Sequence, residues 1–131
     1  MDEMPAAECL RLMATVPVGR ISYTRQALPA VEPVNFALDR GTIVFRTAQG
    51  GKLAAAARGA VVAFQADDLH PVTRSGWSVT VVGLSREVTE SADIARLEHL
   101  DLDTWAPGTH HHFIRITPEV ITGRRLRPAE G

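Results

Sequence analysis

Hydrophobic and polar residues follow two different periods along this chain, one helical and one extended. In residues 6–14, Leu10, Met13 and Ala14 recur at helical spacing before a Val-Pro-Val-Gly sequence stops the pattern. From Gly19 onward, apolar residues come at every second position, which is typical of strands. The pattern therefore predicts a short N-terminal helix followed by a mainly β chain.

The first two predicted strands show the alternation most clearly. Ile21 and Tyr23 alternate with polar residues in the first strand, and Val34, Phe36 and Leu38 alternate in the second. Because Tyr23 shares a side with Ile21, a packing role is favoured for its ring over a role as a proton donor.

The remaining elements are predicted by the same reasoning. They are, in chain order, a turn at 38–42, a strand at 42–46, a helix beginning at Lys52, a strand at 59–67, a polar loop at 68–76, a strand at 77–86 that extends towards Val88, a helix at 91–100 with Ser91 as its N-cap, and a strand at 111–122. The strand at 59–67 is almost continuously apolar, which indicates either burial on both faces or a central place in a closed sheet. Six mostly sequential strands with few helices between them favour a small antiparallel barrel in a single domain, 1–131.

Composition narrows the class of protein. The 131 residues are 45% hydrophobic and 22% charged, and no run approaches the roughly 18 apolar residues that a membrane span needs. The acidic N-terminus does not match a secretory signal, so we expect a cytoplasmic location and no membrane partner. A net charge of −1 predicts no nucleic-acid partner. The single cysteine, Cys9, lies on the apolar face of the first helix, which favours packing over a reactive thiol.

One short segment combines features that suit an anion. Arg46 and Thr47 end a predicted strand, Gly51 belongs to a turn, and Lys52, the only lysine, opens a helix-forming stretch. Glycines permit close backbone approach, a helix N-terminus offers N–H donors, and both cations attract phosphate. The alternative is a plain strand-to-helix turn with solvated charges, because the spacing is not that of a Walker motif.

The stretch PVNFALDRGTIVFRTAQGGKL, followed by AVVAFQAD and GWSVTVVG, resembles the pyridoxamine 5'-phosphate oxidase-like flavoproteins, the FMN-binding split-barrel family. The resemblance extends from the N-terminal helix to Ile121. It implies a mainly β (α+β) fold, a six-stranded antiparallel split β-barrel with short flanking helices. It also implies a homodimer that holds FMN in grooves at the subunit interface.

The resemblance assigns roles to residues of this chain. Arg46, Thr47 and Lys52, with Gly51 in the turn, match the family residues that grip the FMN phosphate and ribityl chain. The other implied cofactor contacts are Asn35 and Phe36 through the main chain of their strand, Trp77 and Ser78 on a strand edge, and Trp105 and the run His110, His111 and His112 where a partner subunit closes the pocket. Trp77 is equally suited to anchoring the core, and the two roles are compatible.

The histidine run leaves three interpretations open. His110 and His112 would share one face of a strand, and two imidazoles can begin a metal site. No nearby cysteine or regularly spaced carboxylate completes a ligand set, so surface histidines or contact with the cofactor are favoured, and no metal is expected.

The implied function is that of an FMN-dependent oxidoreductase. Hydride or electrons would pass between a reduced nicotinamide or other donor and a small-molecule substrate, with no residue marked as the catalytic acid or base. The alternatives are a reductase that uses a deazaflavin coenzyme, a non-catalytic flavin-binding or sensing module, and a barrel that has lost its cofactor. Vitamin B6 oxidation is not expected, because the C-terminal GRRLRP lacks the adjacent histidine of true pyridoxamine 5'-phosphate oxidases. Signals for hydrolytic chemistry, such as GxSxG or HExxH, are missing from the sequence.

Overall fold

Antiparallel strands make up most of the computed structural model, which describes residues 2–47, 53, 58–100, 102 and 112–128. The described elements are β1 (Asp2–Glu3), α1 (Ala6–Met13), β2 (Val18–Arg25), β3 (Leu28–Asp39), β4 (Thr42–Thr47), β5 (Ala60–His70), β6 (Ser75–Glu87), α2 (Ser91–Leu97) and β7 (His112–Leu126). The fold class is mainly β, as the sequence predicted.

Six of the strands close into a ring. Their order is β7-β4-β3-β2-β5-β6, and a further pairing between β6 and β7 joins the two ends. Every pairing is antiparallel. The predicted six-stranded barrel is confirmed, and the two-residue strand β1, which the sequence pattern did not predict, pairs with the second half of β7.

Strand β3 turns a corner of the barrel. Its first half, 28–35, pairs with β2, and its second half, 36–39, pairs with β4. Pro29 and Pro33 both lie in the first half, which pairs with β2 but not with β4. Because proline has no backbone N–H, it is tolerated in a strand segment that has a free side. Because the two halves pair in succession, the sheet splits at this strand.

The predicted turn between β3 and β4 is confirmed. Arg40 and Gly41 form a two-residue connection in which both residues have positive φ, 53° and 77°. This is the backbone that a type I′ hairpin requires, and glycine adopts it without steric cost.

The predicted polar loop at 68–76 is wrong. Strand β5 continues to His70 and β6 begins at Ser75, so the connection shrinks to 71–74. Gly76 has a φ of 136°, and a Cβ there would lie 2.1 Å from the Asp68 carbonyl oxygen. The ladder continues through polar residues because glycine lets the two backbones approach, which a pattern of hydrophobic positions does not reveal.

Inward-facing side chains fill the barrel. On β5 the buried residues Val62, Phe64 and Ala66 alternate with more exposed neighbours, and Val61 is 60% exposed. Of the two interpretations of this strand, the central position in a closed sheet is correct and burial on both faces is wrong. The Phe36 and Phe64 rings meet edge to face inside the barrel, with centroids 4.8 Å apart.

Helix α1 packs against this core through Cys9 and Met13, both fully buried. Burial, and next the nearby charge of Glu8, raise the pKa of the Cys9 thiol. A neutral, enclosed thiol is a packing group, as the sequence favoured.

Helix α2 covers the outer face of the barrel. Leu97 forms a second hydrophobic cluster with Val44, Leu102 and Phe113. The helix ends at Leu97 rather than at residue 100, and Glu90, not Ser91, occupies the N-cap position. Within the described residues, no helix has the length and hydropathy of a membrane span. The predicted helix that begins at Lys52 lies outside the described residues except for Leu53, which is helical and buried.

Candidate functional site

The end of β4 carries two of the predicted cofactor residues. Ile43 and Phe45 are fully buried inside the barrel, and Thr47 continues this inward series at 7% exposed. Arg46 lies between them, so its half-buried side chain is on the outer face. Arg46 and Thr47 therefore contribute to opposite sides of the sheet at the same strand end.

The Arg46 side chain lies over an aromatic ring. Phe113 is its cross-strand partner on β7, and the Arg46 Cζ is 5.0 Å from the Phe113 ring centroid. Phe113 is 1% exposed and belongs to the cluster under α2. Phe113 was not among the residues predicted from the sequence, although the alternation of β7 indicates the face on which it lies.

Asn35 and Phe36 lie close to the same strand end. Phe36 pairs with Phe45 across β3 and β4, and Asn35 is half-buried on the outer face, the face that carries Arg46. The Phe36 N–H donates to the Pro17 carbonyl oxygen at 3.1 Å, so this donor is used within the fold. A groove of about 400 Å³ adjoins them, lined by residues 14–17 and 36–38.

His112 lies on the inner side of this strand end. It pairs with Thr47, and its Nδ1 is 3.1 Å from a Glu87 carboxylate oxygen. The same oxygen lies 3.4 Å from an Arg58 guanidinium nitrogen. Glu87 was not predicted from the sequence; its signal was a carboxylate in the inward-facing series of β6 that includes Val81. Of the predicted residues, Arg46, Thr47, His112, Asn35 and Phe36 are thus gathered around the end of β4.

The metal interpretation of the histidine run finds no support around His112. Among the described residues, no group of three His, Cys, Asp or Glu side chains could hold a metal ion. His110 and His111 lie outside the described residues, as do Gly51, Lys52 and Trp105, so their predicted roles stay predictions.

Trp77 and Ser78 lie elsewhere on the barrel. Trp77 is a buried member of the main core, which confirms that it anchors the interior. Ser78 points outward, where its Oγ accepts a hydrogen bond of 3.1 Å from Gln65. It lines a second groove, of about 420 Å³, together with Glu3, Thr80, Thr122, Gly123 and Arg124.

The pairing along β7 measures how far apart these two groups are. Arg46 pairs with Phe113, whereas Ser78 pairs with Arg124, eleven residues further along the strand, 113 to 124. At the usual strand rise this separation is about 35 Å along β7. Trp77 and Ser78 therefore pair with the opposite end of β7 from Arg46.

A network of charged residues ties α2 to the barrel beside Arg46. Arg96 donates to Asp39 and, at 2.9 Å, to Asp93, while Arg115 donates to Asp39 at 2.9 Å and to Thr42 at 2.5 Å. Burial raises the pKa of the Asp39 carboxyl, but the hydrogen bonds and charges of the two arginines outweigh it and lower that pKa. Arg96 and Arg115 are thus neutralised by carboxylates within the fold.

The residues at the end of β4 suit a phosphate-bearing ligand. Arg46 supplies a half-buried guanidinium, whose hydrogen bonds to phosphate are strong and bidentate. Asn35 offers an amide on the same face, and the adjoining groove has apolar walls from Val16, Pro17 and Leu38. The chemistry of this donor set fits a nucleotide cofactor with an apolar ring system.

Comparison with known proteins points in the same direction. Residues 5–125 match the family model described as pyridoxamine 5'-phosphate oxidase. An uncharacterised protein of Mycobacterium tuberculosis is 41% identical over 129 residues, which cover 95% of this chain and 84% of that protein.

Solved structures share the fold along its whole length. The FAD binding protein from Mycobacterium smegmatis is 38% identical with a TM-score of 0.84, and the match covers 97% of this chain and 99% of the other. A Corynebacterium glutamicum protein named after the same oxidase is 32% identical, also with a TM-score of 0.84, over 99% of this chain and 96% of its own.

Proposed function

Because the chain belongs to the pyridoxamine 5'-phosphate oxidase family, we propose that it binds a flavin nucleotide and works as an oxidoreductase. The observation that carries the proposal is the half-buried Arg46 guanidinium on the outer face of β4, together with a groove lined by Phe36 and Leu38 of the neighbouring strand β3. The phosphate of a flavin nucleotide would meet the guanidinium, and its ring system would meet the groove.

The choice of flavin follows from the relatives. FMN is the cofactor that the sequence resemblance implied, whereas a relative that is 38% identical is an FAD binding protein. We therefore place FAD beside FMN as the first ligands to test, with a deazaflavin coenzyme as the third. All three carry a phosphate that Arg46 would bind.

The residues of this chain would position the cofactor. Arg46, with Lys52 six residues further along the chain, would bind the phosphate, and Asn35 would bind on the same outer face. When bound, a flavin supplies the hydride and electron transfer between a reduced nicotinamide or other donor and a small molecule. The protein's part is then to hold the ring against the groove beside Phe36 and to exclude water from it.

A complete site would need a second copy of the chain. Trp77 and Ser78 are eleven residues or more away from Arg46 along the β7 ladder, a path of about 35 Å at the usual strand rise, which favours contact of one flavin with the two groups from different subunits. We propose a homodimer in which the Ser78 surface of one subunit approaches the Arg46 end of its partner. Trp105 and His112 would then help to close the pocket.

A binding module without turnover is the second candidate function. The name of the Mycobacterium smegmatis relative states a ligand and no reaction. At the described strand end, the Glu87 carboxylate is engaged by His112 and Arg58. Vitamin B6 oxidation is not proposed for this chain.

Absorbance and titration test the proposal directly. Purified protein should carry or take up FAD or FMN, with the flavin bands visible and the released nucleotide identified by mass spectrometry. Arg46→Ala should weaken binding about tenfold or more, since a charge-assisted hydrogen bond is worth roughly 1.5 to 3 kcal/mol. Arg25→Ala, which removes an exposed arginine at the end of β2, is the control. Protein that binds none of the three coenzymes would refute the proposal.

Turnover separates the two candidate functions. An oxidoreductase loaded with flavin should oxidise reduced nicotinamide cofactors faster when a suitable small-molecule acceptor is added. Tight flavin binding without stimulated oxidation across a panel of donors and acceptors would favour the binding module.

A further inference from the structure

The contact between Arg46 and Phe113 has a role beyond packing. We infer that Phe113 is a positioning residue, which holds the Arg46 guanidinium in place for the phosphate of the cofactor. The inference rests on the proposed flavin-binding function.

The geometry is that of a cation–π contact. Arg46 and Phe113 are directly paired across β4 and β7, so their side chains share the outer face of the barrel. The Arg46 Cζ lies over the ring at 5.0 Å from its centroid, inside the distance of about 6 Å at which such contacts are attractive. Because the ring is only 1% exposed, little water screens the interaction.

The ring cannot easily move away from Arg46. Phe113 packs with Val44, Leu97 and Leu102 in the cluster under α2, and the first two are fully buried. Helix α2 is in turn tied to the barrel through the ion pair of Arg96 with Asp39. The packing therefore extends from the helix through the ring to the guanidinium.

This arrangement prepares Arg46 for an anion. An arginine side chain loses rotamer freedom when it is ordered, and a ligand that orders it bears that entropic cost. A side chain that already rests on a fixed ring has lost part of this freedom in advance. The contact is made by the face of the Phe113 ring, which supplies no oxygen acceptor for the guanidinium N–H groups that bind phosphate.

A double-mutant cycle on flavin affinity tests the inference. Dissociation constants for FAD and FMN would be measured by fluorescence titration for the wild type, Arg46→Ala, Phe113→Leu and the double variant. In the wild-type background, Phe113→Leu should weaken flavin binding about threefold to tenfold. A change of this size is expected for the loss of one cation–π contact. In the Arg46→Ala background the same substitution should change affinity less than twofold.

The control distinguishes positioning from loss of packing. Ile114→Val trims the next residue of β7, which is fully buried in the main core and faces the interior. It should leave flavin affinity unchanged. If Phe113→Leu weakens binding equally in both backgrounds, or Ile114→Val weakens it as much, the ring has a structural role and the inference is wrong.

A second variant changes the electrostatics of the ring without changing its packing. Pentafluorophenylalanine incorporated at position 113 keeps the size of the ring but reverses the charge of its face. It should weaken flavin binding at least as much as Phe113→Leu, and unchanged affinity would overturn the inference. If the wild type binds no flavin, the proposed function fails; if Arg46→Ala weakens binding and neither change at position 113 does, the positioning role alone fails.

Discussion

Ser85 carries a hydroxyl group into the interior of the barrel. The residue is fully buried on β6, and within the described part of the chain its Oγ has no hydrogen-bond partner. A buried polar atom without a partner loses its hydrogen bonds to water and gains none within the protein. Ser85 is therefore a site where removing an atom should not destabilise the fold.

We predict that Ser85→Ala leaves the free energy of unfolding unchanged or raises it by up to about 1 kcal/mol. Guanidinium unfolding followed by circular dichroism measures this. Thr42→Val is the matched control, because the Thr42 hydroxyl is hydrogen-bonded to the Asp39 carbonyl and to Arg115, and its loss should cost about 1 kcal/mol. A clear loss of stability in Ser85→Ala would contradict the prediction.

Arg46 shows what a single residue type can and cannot indicate. A strand-end arginine before a glycine turn suggested an anion site but left a plain turn as the alternative, and the family resemblance decided between them; the structure places that arginine half-buried on an outer face. The ring beneath it was not predictable from its type, because cross-strand pairing of residues 46 and 113 depends on the register of β4 and β7.

Helix α2 is held on the barrel by apolar packing and by Asp39. The Asp39 side chain is 12% exposed and accepts hydrogen bonds from Arg96 on the helix and Arg115 on β7. The folded-state pKa of Asp39 is lowered, chiefly by these two arginines against the opposing effect of burial. Its contribution to stability is accordingly present above the unfolded pKa and is lost as the pH falls through the folded value.

Asp39→Asn should lower the free energy of unfolding by about 1 to 3 kcal/mol at pH 7, since it removes a carboxylate that pairs with two arginines. The difference from wild type should stay constant from pH 8 to 5 and shrink as the pH falls below about 4. Urea unfolding at several pH values measures it. Asp2→Asn, which removes a carboxylate of an exposed pair with Arg127, is the control and should cost little. An equal cost at every pH would show that Asp39 does not act through its charge.

At the scale of the whole molecule, the predicted cofactor residues fall at two ends of β7. Arg46, Thr47 and His112 lie at its start, and Trp77 and Ser78 lie near its end. The proposed homodimer would combine one end of each subunit, which gives two equivalent sites. Such a composite site makes a specific prediction about mixed dimers.

Arg46→Ala and Ser78→Trp should each weaken flavin binding in their own homodimers. In a heterodimer of the two variants, one site would keep both wild-type surfaces and the other would lose both. Differently tagged chains, co-expressed and purified by both tags, should therefore bind one flavin per two chains. A heterodimer without binding would place Arg46 and Ser78 on one subunit's site, and a strict monomer in sedimentation would refute the dimer.

The residue pattern along the chain was sufficient to predict most of the fold. Alternation predicted the long strands, Gly41 marked the β3–β4 turn, and a helical spacing marked α1. These features follow from the residues themselves, because side chains alternate across any strand and positive φ favours glycine in any turn. The combined motifs also indicated the family, which the match over residues 5–125 confirms.

The composition of the site depended on strand order and register instead. Arg96 reaches Asp39 across 57 positions of sequence, and Phe113 reaches Arg46 across an even larger interval. The register of β7 with β4 and β6 places Ser78 and Arg46 on different parts of the ladder. Periodicity describes each strand alone, whereas contacts between strands are set by packing the whole barrel, and that is why the neighbours of Arg46 emerged only from the folded chain.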